Sequence, residues 1–371
     1  MMKKWMVVVV AAFFLAGIGV LASQRPAAPQ APIVWKVQTT YTSAMILQKM
    51  AVQMGERVKE MSGGRLVFET LPAGTVVGAF EVLDSVNKGV LDAAHSWPGY
   101  WTGKNTAAAL FGGSLGGPFG MRIEDYLAWF YAGGGQELYS ELIQKDMKMN
   151  DVVVFLTMNS FPEPLGWFRK PITSLKDFRG LKMRTSGLGV DLLKEMGVSA
   201  VVLPGGEIVP ALERGVVDAV EWTTPATDIM LGFHTVAKYL VMPSTRQPLT
   251  GNEFLINRKK WDALPADLKA IVRNALLAQI PIAIATDYSE AATVFHDLGP
   301  KYGVQVITTP RDVLEAEIKA TDKVLEAQAQ KNPSFARILK HQREFAAKVA
   351  TYTDRIRPPY SSVVRHHFGK K

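Results

Sequence analysis

The chain has 371 residues, a formal charge of +8, 48% hydrophobic residues and no cysteine. That length can bury a sizeable core without covalent staples and suggests two domains. The missing thiol excludes disulfides, thiol catalysis, cysteine metal sites and a lipid-modified cysteine anchor, and basic residues scattered instead of striped speak against nucleic acid.

Lys3 and Lys4 precede an apolar run over residues 5–21, and Val20-Leu21-Ala22 ends it with small residues at the positions a signal peptidase reads. Residues 1–22 therefore predict a signal peptide, cleaved on export to the periplasm; a retained membrane anchor is the alternative, although the run is short for a span. Without the two lysines the charge falls to +6, which either attracts anions over a distance or is a basic surface of no special purpose.

Residues 33–39 predict a first strand. Ser43 predicts the cap of a helix whose Ile46, Met50, Met54, Val58 and Met61 recur at helical spacing, ended by Gly63-Gly64. A strand over 65–71 stops at Pro72, a helix around 79–88 ends at Gly89, and 90–96 reads as a short strand. The alternation predicts an α/β fold. The phrase over 80–93 returns over 208–219: each has a helix, a glycine (Gly89, Gly215) able to stop it in the left-handed region, then Asp92-Ala93 or Asp218-Ala219 entering a strand. Strand 181–184, helix 190–196 and strand 200–203 surround the second copy in the same order.

Two similar α/β lobes follow: lobe 1 over 33–158, completed by about 250–285, and lobe 2 over 159–249, completed by part of 286–310. From 264 onward the pattern is helical, over 267–297, 312–330 and 335–349. These helices read as a brace across both lobes or, over 311–352, as a dimer contact. Residues 352–371 read as a polar tail.

Gly112-Gly113-Ser114-Leu115-Gly116 matches the pattern of a serine-hydrolase elbow, which needs a strand before it, a helix after it and a downstream acid and histidine. Gly117-Pro118 opposes that helix, and neither His234 nor His296 has an evident acidic partner. An exported hydrolase using Ser114 stays as the enzyme alternative, and a ligand-sensing component for a membrane kinase as another. The six histidines show no metal-binding spacing.

Arg184 ends the strand over 181–184, where an α/β crevice site is expected. Its planar fork suits a carboxylate, unless it is a surface arginine in an ion pair. Glu221-Trp222 ends the strand after Asp218-Ala219-Val220, as either an ordinary buried ion pair or a site. Phe80-Glu81-Val82-Leu83-Asp84, Tyr100-Trp101-Thr102-Gly103-Lys104-Asn105, Gly166-Trp167-Phe168-Arg169-Lys170, Gly180-Leu181-Lys182-Met183-Arg184 and Asp218-Ala219-Val220-Glu221-Trp222 appear in this order. Over about 34–350 they resemble the solute-binding proteins of tripartite ATP-independent periplasmic (TRAP) transporters, in the branch for 2-oxo acids, lactate and related monocarboxylates.

The resemblance implies a two-lobed periplasmic binding protein fold with a long bracing helix, closing on a small organic acid and passing it to a membrane permease without catalysis. It implies that Arg184 clamps the carboxylate, that Tyr100 and Asn159 contact the substrate, and that Trp222 and Trp97 wall it. It also implies a cation bridging the acid's carboxylate and its 2-oxo or 2-hydroxy oxygen. Glu163, Glu221 and the Trp222 carbonyl match its ligands, with Glu253 a weaker candidate; some relatives pair through C-terminal helices. Glu163 departs from the glutamine of sodium-binding relatives. Arg184, the two glutamates and a monocarboxylate sum to −2, which calcium balances and sodium does not, so calcium is expected and sodium is the alternative. No second cationic group is visible for a dicarboxylate, which favours a monocarboxylate.

Overall fold

A computed structural model describes residues 31–369 except Ser114, Gly116 and Phe161. The expected leader over 1–22 and Ser114, the nucleophile of the enzyme alternative, lie outside the described residues. The described residues form two sheets. The first contains β1 (Ile33–Thr39), β2 (Leu66–Leu71), β3 (Ala93–Ser96), β4 (Val152–Ser160) and β10 (Thr250–Asn257), in the order β2-β1-β3-β10-β4. The second contains β5 (Gly166–Phe168), β6 (Lys182–Thr185), β7 (Ser199–Val202), β8 (Ala219–Val220), β9 (Tyr239–Met242) and β11 (Gln305–Thr308), in the order β11-β9-β5-β8-β6-β7.

The first sheet starts parallel, with Ile33 opposite Leu66 and Val37 opposite Ala93. β10 then inserts antiparallel between β3 and β4, with Glu253 opposite Ser96 and Thr250 opposite Ser160. The chain therefore leaves the first sheet after β4, builds most of the second, returns for β10 and departs again for β11.

The repeated phrase has a local cause in both copies. Gly89 (φ 76°) and Gly215 (φ 70°) adopt the left-handed conformation that stops the helices Val82–Asn87 and Ile208–Glu213. The aspartate that follows ties the next strand to its neighbour. Asp92 Oδ2 accepts from Lys36 N at 2.8 Å, and Asp218 Oδ2 accepts from Lys182 N at 3.1 Å. Each aspartate's own N–H donates back, to Lys36 O and Lys182 O.

Two expectations are corrected. The first long helix is Ile46–Met61 and enters from Met45, whose side chain is buried, so Ser43 lies in a turn and does not cap it. Of the expected polar tail, residues 352–369 are largely helical. Helix Pro333–Ile356 runs into them, Pro358-Pro359 interrupts it, and helix Tyr360–Phe368 follows with no buried residue.

Helix Ala266–Asp297 is 32 residues long and is the described helix apolar enough to cross a membrane by length and composition. Its packing identifies it as a core helix. Leu268, Val272, Ala275 and Leu276 pack with Trp35, Phe68 and Phe254 of the first sheet, and Ala283 packs with Trp167 and Leu240 of the second. Pro281 lies inside the helix, between those two contacts. A further core cluster runs from Val82 and Leu91 to Phe168, Met183 and Val241, and joins the C-terminal helices through Val324 and Phe335.

Candidate functional site

Met183 and Arg184 alternate on β6. The apolar side chain enters the core and the guanidinium enters the cavity between the sheets, and both are buried. Arg184 Nε and Nη2 donate to Leu203 O at 3.0 and 2.9 Å. Its Nη1 donates to Glu221 O at 2.8 Å and to Glu221 Oε1 at 3.1 Å. The guanidinium carbon lies 4.7 Å from the centroid of the Trp222 ring, close enough for a cation–π contact. Fork, acid and indole therefore fix one another.

Glu163 stands in the segment joining β4 to β5. Its N–H donates to Gln247 O at 2.9 Å, and its Oε1 accepts from Thr250 Oγ1 at 2.7 Å. Its Oε2 accepts from Arg246 Nη2 at 3.2 Å, and Arg246 Nη1 lies 3.5 Å from Glu221 Oε2. The result is an alternating, buried run Arg184–Glu221–Arg246–Glu163 with formal charge zero. Burial pushes the Glu163 carboxyl well above the usual carboxylate range, while Arg246 beside it pulls the other way.

Arg246 corrects the expectation that the site has no second cationic group. It comes from the loop between β9 and β10, which is fastened to helix Arg311–Lys331. Glu317 Oε1 accepts from Ser244 Oγ at 2.7 Å, and its Oε2 accepts from Thr245 N at 3.0 Å. Arg246 N donates to Ser244 Oγ at 3.0 Å. No motif surrounds Arg246, but one signal was available: it is the only charged residue in 239–252.

Tyr100 reaches the same cavity, edge-on to Phe80 at 5.0 Å and to Trp97 at 5.3 Å. Burial raises its phenol, against the opposing pull of Arg184, so it remains a neutral hydroxyl. Trp97 is fixed by Nε1 donating to Gly112 O at 3.0 Å. Trp222 Nε1 and Thr223 Oγ1 line or border the cavity, buried and without a partner among the described residues, which leaves polar atoms for a ligand. Asn159 lies on β4 opposite Gly251, and its side chain lies outside the described residues.

Glu253 is not brought to this group. Its Oε1 accepts from Trp101 Nε1 at 2.5 Å and its Oε2 from Tyr139 Oη, so both oxygens are engaged away from the cavity. Burial pushes its carboxyl up to about 7. Neither His234 nor His296 lines the cavity.

Among the described residues, no three His, Cys, Asp or Glu side chains gather as a metal group. Glu163 and Glu221 nonetheless present carboxylate oxygens at one place, a donor set that fits a hard cation if backbone and ligand oxygens complete its shell. Two guanidiniums, two carboxylates and aromatic walls suit capture of a small oxyanion.

The family model of the bacterial extracellular solute-binding proteins, family 7, matches residues 38–332. A monocarboxylate 2-oxoacid-binding periplasmic protein of Nostoc sp. is 30% identical over 316 residues, covering 85% of this chain and 84% of that protein. A TRAP periplasmic solute-binding protein of Colwellia psychrerythraea, solved with bound calcium and pyruvate, is 32% identical. The match covers 90% of this chain and 99% of that one, with TM-score 0.82. Its counterpart from Pseudoalteromonas atlantica, solved with bound sodium and pyruvate, is 30% identical over 91% of this chain and 99% of that one, with TM-score 0.81.

Proposed function

The chain belongs to family 7 of the bacterial extracellular solute-binding proteins, and from that premise we propose that it is the receptor of a TRAP transporter for a 2-oxo monocarboxylate. The observation that carries the reading is the buried guanidinium of Arg184, fixed against Glu221 and over Trp222 in the cavity between the sheets. Relatives similar over nine-tenths of the chain hold pyruvate with calcium or sodium.

In this reading Arg184 receives the acid's carboxylate, Tyr100 and Trp222 cover the remainder, and Asn159 contributes by position. Glu163, Glu221 and the Trp222 carbonyl hold a cation. A cation held there would supply positive charge to the bound acid. Arg246 changes the charge count: the four side chains sum to zero, so with a monocarboxylate sodium restores neutrality and calcium leaves +1. By charge balance alone the preference therefore passes from calcium to sodium, while relatives hold either.

The sheets close on the acid because it contacts both sides better when they are shut, and the shut form is what the membrane permease receives. Export through a leader over 1–22 belongs to the same reading. The test is calorimetry of dialysed protein with pyruvate, lactate and a 2-oxo dicarboxylate, each in calcium and in sodium. Saturable binding of pyruvate at 1:1 is expected. No heat with any of these acids in either cation rejects the reading.

A further inference from the structure

Resting on that reading of the site, we infer that Arg246 is a resident competitor for the cation. Its guanidinium holds the space between Glu163 and Glu221, so the cation enters effectively only together with the anionic acid.

One guanidinium spans both carboxylates, with Nη2 3.2 Å from Glu163 Oε2 and Nη1 3.5 Å from Glu221 Oε2. A hard cation held by both carboxylates needs oxygens at roughly 2.0–2.6 Å, which places it where the guanidinium now lies. Arg246 cannot simply withdraw. Its side chain is 5% exposed, Nη2 also donates to Pro164 O at 3.4 Å, and its loop is pinned through Ser244 and Thr245 to Glu317.

A cation that displaces the contact therefore leaves the arginine's charge in the same buried space. The four side chains are balanced before any ligand arrives. Sodium alone makes the sum +1 and calcium alone +2, and unbalanced buried charge is costly. The carboxylate of the acid offsets that excess, so acid and cation each favour the other's binding, by the same factor in both directions. Arg246 thus acts as a specificity residue: it sets how far the two carboxylates bind metal when no acid is present.

The experiment is calcium titration of chelator-stripped, dialysed protein by calorimetry, without organic acid and then with saturating pyruvate. Without pyruvate, Arg246→Gln is expected to bind calcium about tenfold or more tightly than the wild type. In the wild type, pyruvate is expected to tighten calcium binding by about tenfold or more, and by a smaller factor in the variant. Thermal melts establish that the variant is folded. If it is not, the wild-type pair of titrations decides alone: equal calcium affinity with and without pyruvate overturns the inference. A folded Arg246→Gln protein that binds calcium no more tightly than the wild type, without pyruvate, overturns it as well. A wild type that binds no 2-oxo acid in any cation defeats the functional reading instead, and the pyruvate-free titrations still decide the role of Arg246.

Discussion

Arg184 directs four of its five N–H groups to Leu203 O, Glu221 O and Glu221 Oε1, three oxygens spread around a planar fork, and one Nη2 N–H is left over from these bonds. A lysine ammonium donates from one atom and cannot span them. Arg184→Lys is expected to weaken pyruvate binding about a hundredfold, ~3 kcal/mol, by calorimetry; unchanged affinity would remove the arginine from the carboxylate clamp. Glu253 permits a separate test. Its folded carboxyl sits near 7 against an ordinary value of 4.5. Between those values the folded protein keeps a proton that the unfolded chain has lost, so this residue's contribution to stability falls as pH rises through the interval. Relative to Glu253→Gln, the wild type should lose about 3 kcal/mol between pH 4 and pH 8 in urea titrations. A difference that stays constant across that range would show that Glu253 titrates normally. Arg184 and Glu221 were legible because each ends a strand whose pattern the sequence declares. Arg246 was not, because its value comes from two acids 83 and 25 residues away. Glu253 was misplaced for the same reason: Trp101 and Tyr139, which claim it, are 152 and 114 residues distant.

Among the elements, the repeated helix–glycine–aspartate phrase was readable because each residue in it has a local task, a left-handed stop or a strand-edge acceptor. Helix Tyr360–Phe368 was not readable, since it buries nothing and follows two prolines, so burial periodicity never shaped it. Two glycines separate conformational cost from crowding. A Cβ on Gly215 would meet only Arg169 Nη1, at 3.7 Å, whereas on Gly113 it would lie 2.3 Å from Leu249 O, a backbone atom. Both have positive φ. Gly215→Ala is expected to cost ~1 kcal/mol and Gly113→Ala about 3 kcal/mol or more, measured by urea denaturation. Equal costs would mean that the backbone near Gly113 gives way freely.

Across the whole molecule, the α/β class and the C-terminal helices followed from local periodicity, but the strand orders did not. β10 lies between β3 and β4, partners ninety or more residues earlier in the chain, and no short-range signal specifies such a pairing. Because β10 returns to the first sheet after the second is largely built, and one apolar cluster joins both, calorimetric melting should show one transition. Two resolved peaks would mean that each sheet layer melts by itself. Pro281 bears on how such a united body moves. It has no N–H for the carbonyl of Leu277, so the helical ladder has a gap where the helix passes from one sheet's core to the other's. Bending the helix at that joint therefore costs no hydrogen bond from residue 281 to the preceding turn.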